Sequence, residues 1–228
     1  MGRLLSALKR HLLTKEEIAA FDVFRSEIRI SGYHRAGLRQ MRRMSWARPK
    51  RLNLGSGSHG KKGYLNVDIH PGADLTLDIR KGLPFDSNCC ETIFSEHFFE
   101  HLDYPEPVRL VFRECLRVLV PGGLLRFSVP DTAWPLHDYG KSAADAEFFV
   151  QCEVQRWHSE NCTTRMEHIN YHFRQNNEHR FAYDEETARK ILEEVGFQNV
   201  RRSTFDPSID SPHREIGSLF MTALKPVA

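Results

Sequence analysis

A short strand of alternating character, Arg51-Leu52-Asn53-Leu54, runs directly into Gly55-Ser56-Gly57-Ser58-His59-Gly60. A second extended segment, Gly63 to Ile69, carries an acidic residue, Asp68, towards its carboxyl end. Small residues after a strand let a ligand approach bare backbone. Asp68 follows Gly55 by only 13 positions. That is too few for a full helix plus a strand, so the helix that ordinarily follows such a turn must be short or absent.

The next segments extend the pattern. Asp74 to Asp78 reads as a third strand ending in Asp, and Cys90 to Ser95 as a fourth. An amphipathic helix follows from about Pro105 to Leu119, with Val108, Val111, Phe112, Cys115, Leu116 and Leu119 on one face. Pro121-Gly122-Gly123 is expected to stop that helix, and Leu124 to Pro130 to form a fifth strand. Alternating strands and helices argue an α/β fold with a parallel sheet covered on both faces. In open parallel sheets, ligands sit beyond the carboxyl ends of the strands, where strand order reverses, so Gly55 to Gly57, Asp68 and Asp78 should converge. A glycine turn offers N–H groups, and a strand-end carboxylate can accept from two vicinal ribose hydroxyls. The pattern fits a nucleoside-bearing cofactor.

Composition narrows the class. Of 228 residues, 40% are apolar and 27% charged, which supports one large domain, or one with an appendage, and excludes disorder as the main state. Five cysteines, an odd number in a chain this long, point to a reducing compartment, and a cytoplasmic location is expected. No apolar run approaches the ~18 residues of a membrane span. Residues 1–50 hold twelve basic side chains against four acidic ones, a net of +8, so the other 178 carry −6 of the overall +2. Such a basic arm suits phosphate, acidic glycan, a membrane surface or the domain's own acidic face, or it is simply a solvated helical face. Leu4, Leu5, Leu8, Leu12 and Leu13 recur at helical spacing, and Thr14-Lys15-Glu16-Glu17 reads as an N-cap opening a second helix through Ile18, Phe21 and Phe24. Met1 to Ser6 also matches an N-myristoylation pattern, which so short a segment meets by chance.

Six segments in order carry a family likeness: Leu52 to Gly57, Gly63 to Asp68, Leu83-Pro84-Phe85-Asp86, Ser95 to Leu102, Leu116 to Leu124, and Val129-Pro130-Asp131. Together they resemble class I S-adenosylmethionine (SAM)-dependent methyltransferases, closest to the small bacterial group of the methyltransferase type 11 kind. His179-Arg180-Phe181-Ala182-Tyr183-Asp184, Gly196-Phe197 and Gly217 to Pro226 resemble that group's C-terminal signature. The likeness covers 51–131 and 178–226. It implies a Rossmann-like sheet in a methyltransferase domain over 51–228, with a basic helical extension over 1–50 and a helical cap over 132–177. It implies that Gly55, Ser56 and Gly57 lie under the methionine part of SAM. Asp68, with Ile69 beside it, would bind the ribose, and Asp78 with the Ile79 backbone would lie near the adenine. Ser95, Glu96 and His97 would floor the site next to the sulfonium. Asn53 stands where an acidic residue is usual, so it meets the cofactor without a charge for the ammonium. The missing helix favours SAM, which has no phosphate, over a dinucleotide.

His101, His179 and Asp131 are the candidates for handling the acceptor, a histidine because its ordinary pKa lies near working pH. The acceptor is expected to be an oxygen or nitrogen on a small molecule, sugar or lipid-linked substrate, with S-adenosylhomocysteine as product. Nucleic acid is the weaker reading, because the basic arm lacks interleaved aromatic residues and no Asn/Asp-Pro-Pro-Tyr/Phe segment follows the fourth strand. Peripheral membrane contact through the basic arm remains open, and the oligomeric state is not legible. Two alternatives stand beside this reading. One is a SAM-binding scaffold without turnover, and the other is a zinc hydrolase using the H-x-x-E-H pattern of His97, Glu100 and His101. His158, His168, His172 and His179 cluster with Cys152 and Cys162, but Cys152, His158 and Cys162 do not reproduce a C-x-x-C site, the stretch reads equally as a helical lid with surface histidines, and no residue is assigned to a metal. Trp134, Trp157, Phe148 and Phe149 are candidates for lining an acceptor pocket.

Overall fold

In a computed structural model, residues 13–44 and 48–227 are described. The Leu4 to Leu12 repeat and the Met1 to Ser6 pattern lie outside them. The elements in chain order are α1 (Lys15–Met44), β1 (Arg51–Leu54), β2 (Leu65–Asp68), β3 (Leu75–Thr76), β4 (Cys90–Glu96), α2 (Glu106–Val118), β5 (Leu119–Pro130), α3 (Ala133–Asp138), α4 (Glu147–Gln155), α5 (Arg165–Arg174), α6 (Glu185–Val195), β6 (Gln198–Ser203) and β7 (Ser218–Leu224). The seven strands form one sheet in the order β3-β2-β1-β4-β5-β7-β6, with β7 antiparallel to both neighbours. Strand order reverses between β1 and β4. Leu54 pairs with Val67 on one side and Ser95 on the other, so the carboxyl ends of β1, β2 and β4 finish level.

The core explains the strand composition. Leu52, Leu54, Val67, Ile93, Leu125, Phe127 and Val129 point to one face of the sheet and are buried in one core with the apolar stripes of α2 and α6, whereas Phe94 and Arg126 on the other face are covered by the segments that carry Lys61 and Asp210. The buried stripe of α2, Val108, Val111, Phe112, Cys115 and Val118, matches the expected face, and Phe99 stacks on Phe112 at 4.3 Å. Between β1 and β2, residues 55–64 form turns and no helix. The expected stop at Pro121 to Gly123 is not where α2 ends. Leu119 already has ψ 142° and pairs with Cys90. The Pro-Gly-Gly run lies inside β5, where Gly122 (φ 76°) and Gly123 pair with the backbone of Lys225.

α1 opens at the expected N-cap, which is a full capping box, with Thr14 N–H donating to Glu17 and Glu17 N–H to Thr14 Oγ1. It continues well past Phe24, for 30 residues. Its first half exposes Phe21, Phe24 and Ile28, whereas its second half docks on the β3 edge. Gln40 donates to the Asp74 carbonyl at 3.0 Å, and Arg80 ties Glu27 to Asp78. Gly37 makes the approach possible, because a Cβ there would lie 1.9 Å from the Thr76 carbonyl oxygen. The exchange of Gly for Ala in an exposed helix normally adds about 1 kcal/mol of stability. Gly37→Ala is expected instead to lose about 1–3 kcal/mol in urea unfolding, as overpacked contacts do; a gain would mean that α1 does not rest on the sheet.

Candidate active site

The turn after β1 is built on left-handed backbone. Gly55 (φ 69°) donates to Val67 O at 2.9 Å, and Gly57 (φ 55°) donates to Asp68 Oδ2 at 2.8 Å. A Cβ at Gly55 would meet Phe98 at 2.5 Å, whereas one at Gly57 would meet nothing within 4 Å. The second Asp68 oxygen accepts from His70 N–H at 2.7 Å. A carboxylate has about four lone-pair sites, so two backbone donors orient Asp68 and leave acceptor capacity for a diol. Ser56 Oγ is buried in the same turn with no hydrogen-bond partner, and Ile69 is 44% exposed beside it. An open face, an oriented carboxylate and an orphaned hydroxyl fit the ribose and amino-acid parts of SAM.

Four of the expected cofactor residues are placed behind this face instead. Asn53 is buried and donates to Asn66 Oδ1 at 2.9 Å. Asp78 caps the turn Ile79–Lys81, and both of its oxygens bond Arg80. The Arg80 guanidinium and the Arg80 N–H hold that carboxyl below its usual range despite the opposing effect of burial. Ile79 is in the core, and the Ser95 hydroxyl donates to Leu54 O at 2.9 Å. The side chains of Asn53, Asp78 and Ser95 are thus engaged by the sheet or by a neighbour, and that of Ile79 by the core.

Beyond β4 the chain turns sharply at His97 (φ 47°), then forms the 3-10 turn Phe99–His101. The helix that would present His97 and His101 on one face, as the zinc hydrolase reading needs, is not formed. The segment between β6 and β7 crosses this end of the sheet. Ser211 donates from N–H and hydroxyl to the two Glu96 oxygens, each at 2.7 Å, and Lys61 bonds the Ile209 carbonyl. Arg214 Nη1 lies 3.1 Å from His97 Nδ1. A guanidinium can only donate, so Nδ1 accepts and the proton sits on Nε2, which donates to Ser218 Oγ at 2.8 Å. Burial, then the charge of Arg214, hold His97 well below the imidazole range, so the ring is neutral.

Glu100 is 1% exposed, and neither of its side-chain oxygens has a hydrogen-bond partner. Burial pushes its carboxyl up to about 8, which leaves the group protonated at neutral pH, 3.4 Å from His97 Nδ1. His179 Nδ1 lies 3.0 Å from the His172 carbonyl. That oxygen only accepts, so the neutral ring keeps a lone pair on Nε2. His101 makes the same contact with the Glu178 carbonyl at 3.0 Å, but only His179 of the two lines the neighbouring cavity. This cavity holds about 360 Å³ and is walled by His97, Trp157, Tyr171, His179, Arg214 and Ser218 among others. Trp157 lies where an acceptor pocket was expected. Phe148 and Phe149 fill the cap's own core, and Trp134 packs against it. Asp131 is turned to other work, because its carboxylate takes Arg202 at 2.7 Å and Ala133 N–H at 3.2 Å, which starts α3 at the base of the cap. Arg214 and Ser218 were not legible as site residues in the sequence, since only the crossing loop and the start of β7 bring them to His97.

The Glu100 carboxyl sets a pH dependence. Its folded pKa lies above the free value of 4.5, so its stabilising effect is complete at low pH and is lost as pH rises towards 8. Glu100→Gln, neutral at every pH, should be more stable than the parent by about 2 kcal/mol at about pH 8.5 and should flatten the decline above about pH 5. Denaturant unfolding across pH checks this, and an unchanged slope would refute a buried neutral carboxyl.

A comparison with curated proteins gave no match. Among solved structures, a SAM-dependent methyltransferase from Methanosarcina mazei is 16% identical, with TM-score 0.49 over 80% of this chain and 94% of that one. One from Archaeoglobus fulgidus is 16% identical, with TM-score 0.47 over 82% and 91%. Phosphoethanolamine N-methyltransferase 2 of Haemonchus contortus is 13% identical, with TM-score 0.46 over 77% of this chain and 48% of that one. None of these likenesses bears on the acceptor. Residues 1–202 match the family model of the methyltransferase domain, and the chain belongs to that family as a SAM-dependent methyltransferase of the Rossmann-like class I fold.

Proposed function

We propose that the enzyme methylates an oxygen or nitrogen of a small acceptor bearing a negative charge, such as a sugar phosphate or a comparable headgroup. The observation that carries this reading is the cavity of about 360 Å³ beside His97, with Arg214 and His179 in its wall. Its volume falls in the range of small-molecule sites, and Arg214 offers a fork of donors suited to phosphate or carboxylate. When bound, SAM supplies an electrophilic methyl group on a sulfonium. Gly57 and Asp68 hold the cofactor's sugar and amino-acid side. Arg214 holds the acceptor's anion, and Trp157 and Tyr171 exclude water. With SAM held there and the acceptor in the cavity, His179 Nε2 would take the proton that the methylated oxygen or nitrogen gives up. Holding the two reactants in line supplies most of the acceleration, with proton removal adding typically 10²–10⁴-fold.

Two measurements test the reading. In calorimetry with S-adenosylhomocysteine, Asp68→Asn is expected to bind about 10–100-fold more weakly, the loss of a charged hydrogen-bond acceptor. Unchanged affinity would remove Asp68 from the ribose. With labelled SAM, transfer should appear in small phosphorylated or carboxylated acceptors, and His179→Gln should reduce it by about 100-fold or more while leaving S-adenosylhomocysteine affinity unchanged. Label entering protein or RNA instead would refute the small-acceptor reading.

A further inference from the structure

We propose that Cys152 Sγ, His158 Nδ1 and His168 Nδ1 form a zinc site that ties α4, the following loop and α5 together behind the acceptor cavity. One donor atom from each of the three residues lies within 4.8 Å of the others, and Cys152 and His168 are buried. The two imidazole Nδ1 atoms face each other at 2.9 Å. Zinc bound tetrahedrally, with bonds of about 2.0–2.1 Å to nitrogen and 2.3 Å to sulfur, sets its ligand atoms roughly 3.3–3.7 Å apart. The two rings therefore need to part by only a few tenths of an ångström.

The local fold explains the convergence of residues whose spacing matches no familiar metal motif. α4 ends at Arg156 in the left-handed region (φ 51°), so the chain reverses and brings His158 back beside the buried thiol. α5 starts at a capping box of Thr164 and Glu167, which presents His168 one residue later. The arrangement suits a metal better than it suits the bare side chains. The facing nitrogens are compatible only when one carries a proton and the other does not. Zinc binding would release the Cys152 thiol proton to solvent as the sulfur–zinc bond forms. Water would take the fourth position.

The cap also has reason to need a staple. Its buried core is a cluster separate from the main one, made of Ala146, Phe148, Phe149, Cys152 and Ile169, and units this small commonly depend on a metal or disulfides. His158, Trp157 and Tyr171 line the acceptor cavity, so the metal would set the shape of its far wall. Glu100, His101 and His179 form a second convergent group. It has no thiol, its carboxyl is protonated at neutral pH, and His101 is exposed, so the cap set is the better zinc ligand.

The test uses the full chain, purified without chelator. Elemental analysis should find one zinc per chain, and cobalt replacement should give the visible bands of a tetrahedral site together with a thiolate charge-transfer band. Cys152→Ser and His168→Gln should both lose the metal while still binding S-adenosylhomocysteine, whose site lies in the main domain. His101→Gln should keep it. Absence of metal in protein that binds S-adenosylhomocysteine and has been offered zinc would overturn the proposal. So would metal that survives Cys152→Ser, or metal that is lost with His101→Gln.

Discussion

The absence of a side chain at Gly55 is the constraint on which both halves of the site depend. Phe98 occupies the space a Cβ would take, and the next residue, Phe99, is locked in the core against Phe112 and Phe127. The turn beneath the cofactor and the bend that carries His97 and Glu100 are therefore in direct contact. A shift in either displaces the other, because close-packed interiors transmit strain. The 13 positions from Gly55 to Asp68 leave no room for a full helix after β1, and Gly57 N–H orients Asp68 instead. A backbone hydrogen bond does here what a helix terminus does in dinucleotide folds.

A second anchor decides what faces the cofactor. Arg126 on β5 is buried and forms a two-pronged pair with Asp210, while its remaining donors reach Ser203 and Thr204. Buried pairs of this kind add little over an apolar contact, yet breaking one typically costs about 3–5 kcal/mol, because a charge is stranded. Their value lies in fixing geometry. With Asp210 fixed, Ser211 reaches Glu96, and Arg214 and Ser218 close on His97. The cavity's charge thus comes from a loop held at a distance by a pair that takes no part in the chemistry.

Particular residues show where the sequence misleads. Pro121-Gly122-Gly123 carries the chemistry of a helix stop, but the same residues serve as a bulge in β5, where Gly122 and Gly123 meet Lys225 just past β7. Local signals cannot separate the two, since the partner strand lies about a hundred residues away. Asn53 sits between Leu52 and Leu54 and is buried like them, because a strand covered on both faces sends neither side to solvent. Asp78 ends the third extended segment as expected, yet Arg80 captures it, and Glu27 on α1 completes the link. The Asn66 side chain between Asn53 and Asp74 likewise belongs to the sheet edge rather than to a ligand.

What the sequence determined by itself is the part governed by short-range rules. The period of the strands and of α2, the left-handed glycines, the capping of α1 and the interval from Gly55 to Asp68 all act within about one turn or strand, and they specify an α/β sheet with a nucleoside-sized opening. What tertiary structure decided is which polar groups remain available there. Asn53, Asp78, Ser95 and Asp131 found partners and left the crevice. Arg214, Ser218 and His179 arrived from elements far along the chain, and Cys152 met two histidines across a chain reversal. The reason is energetic: a buried polar group must be satisfied by whatever donor or acceptor the fold brings within reach, and residue order alone does not say which one that is.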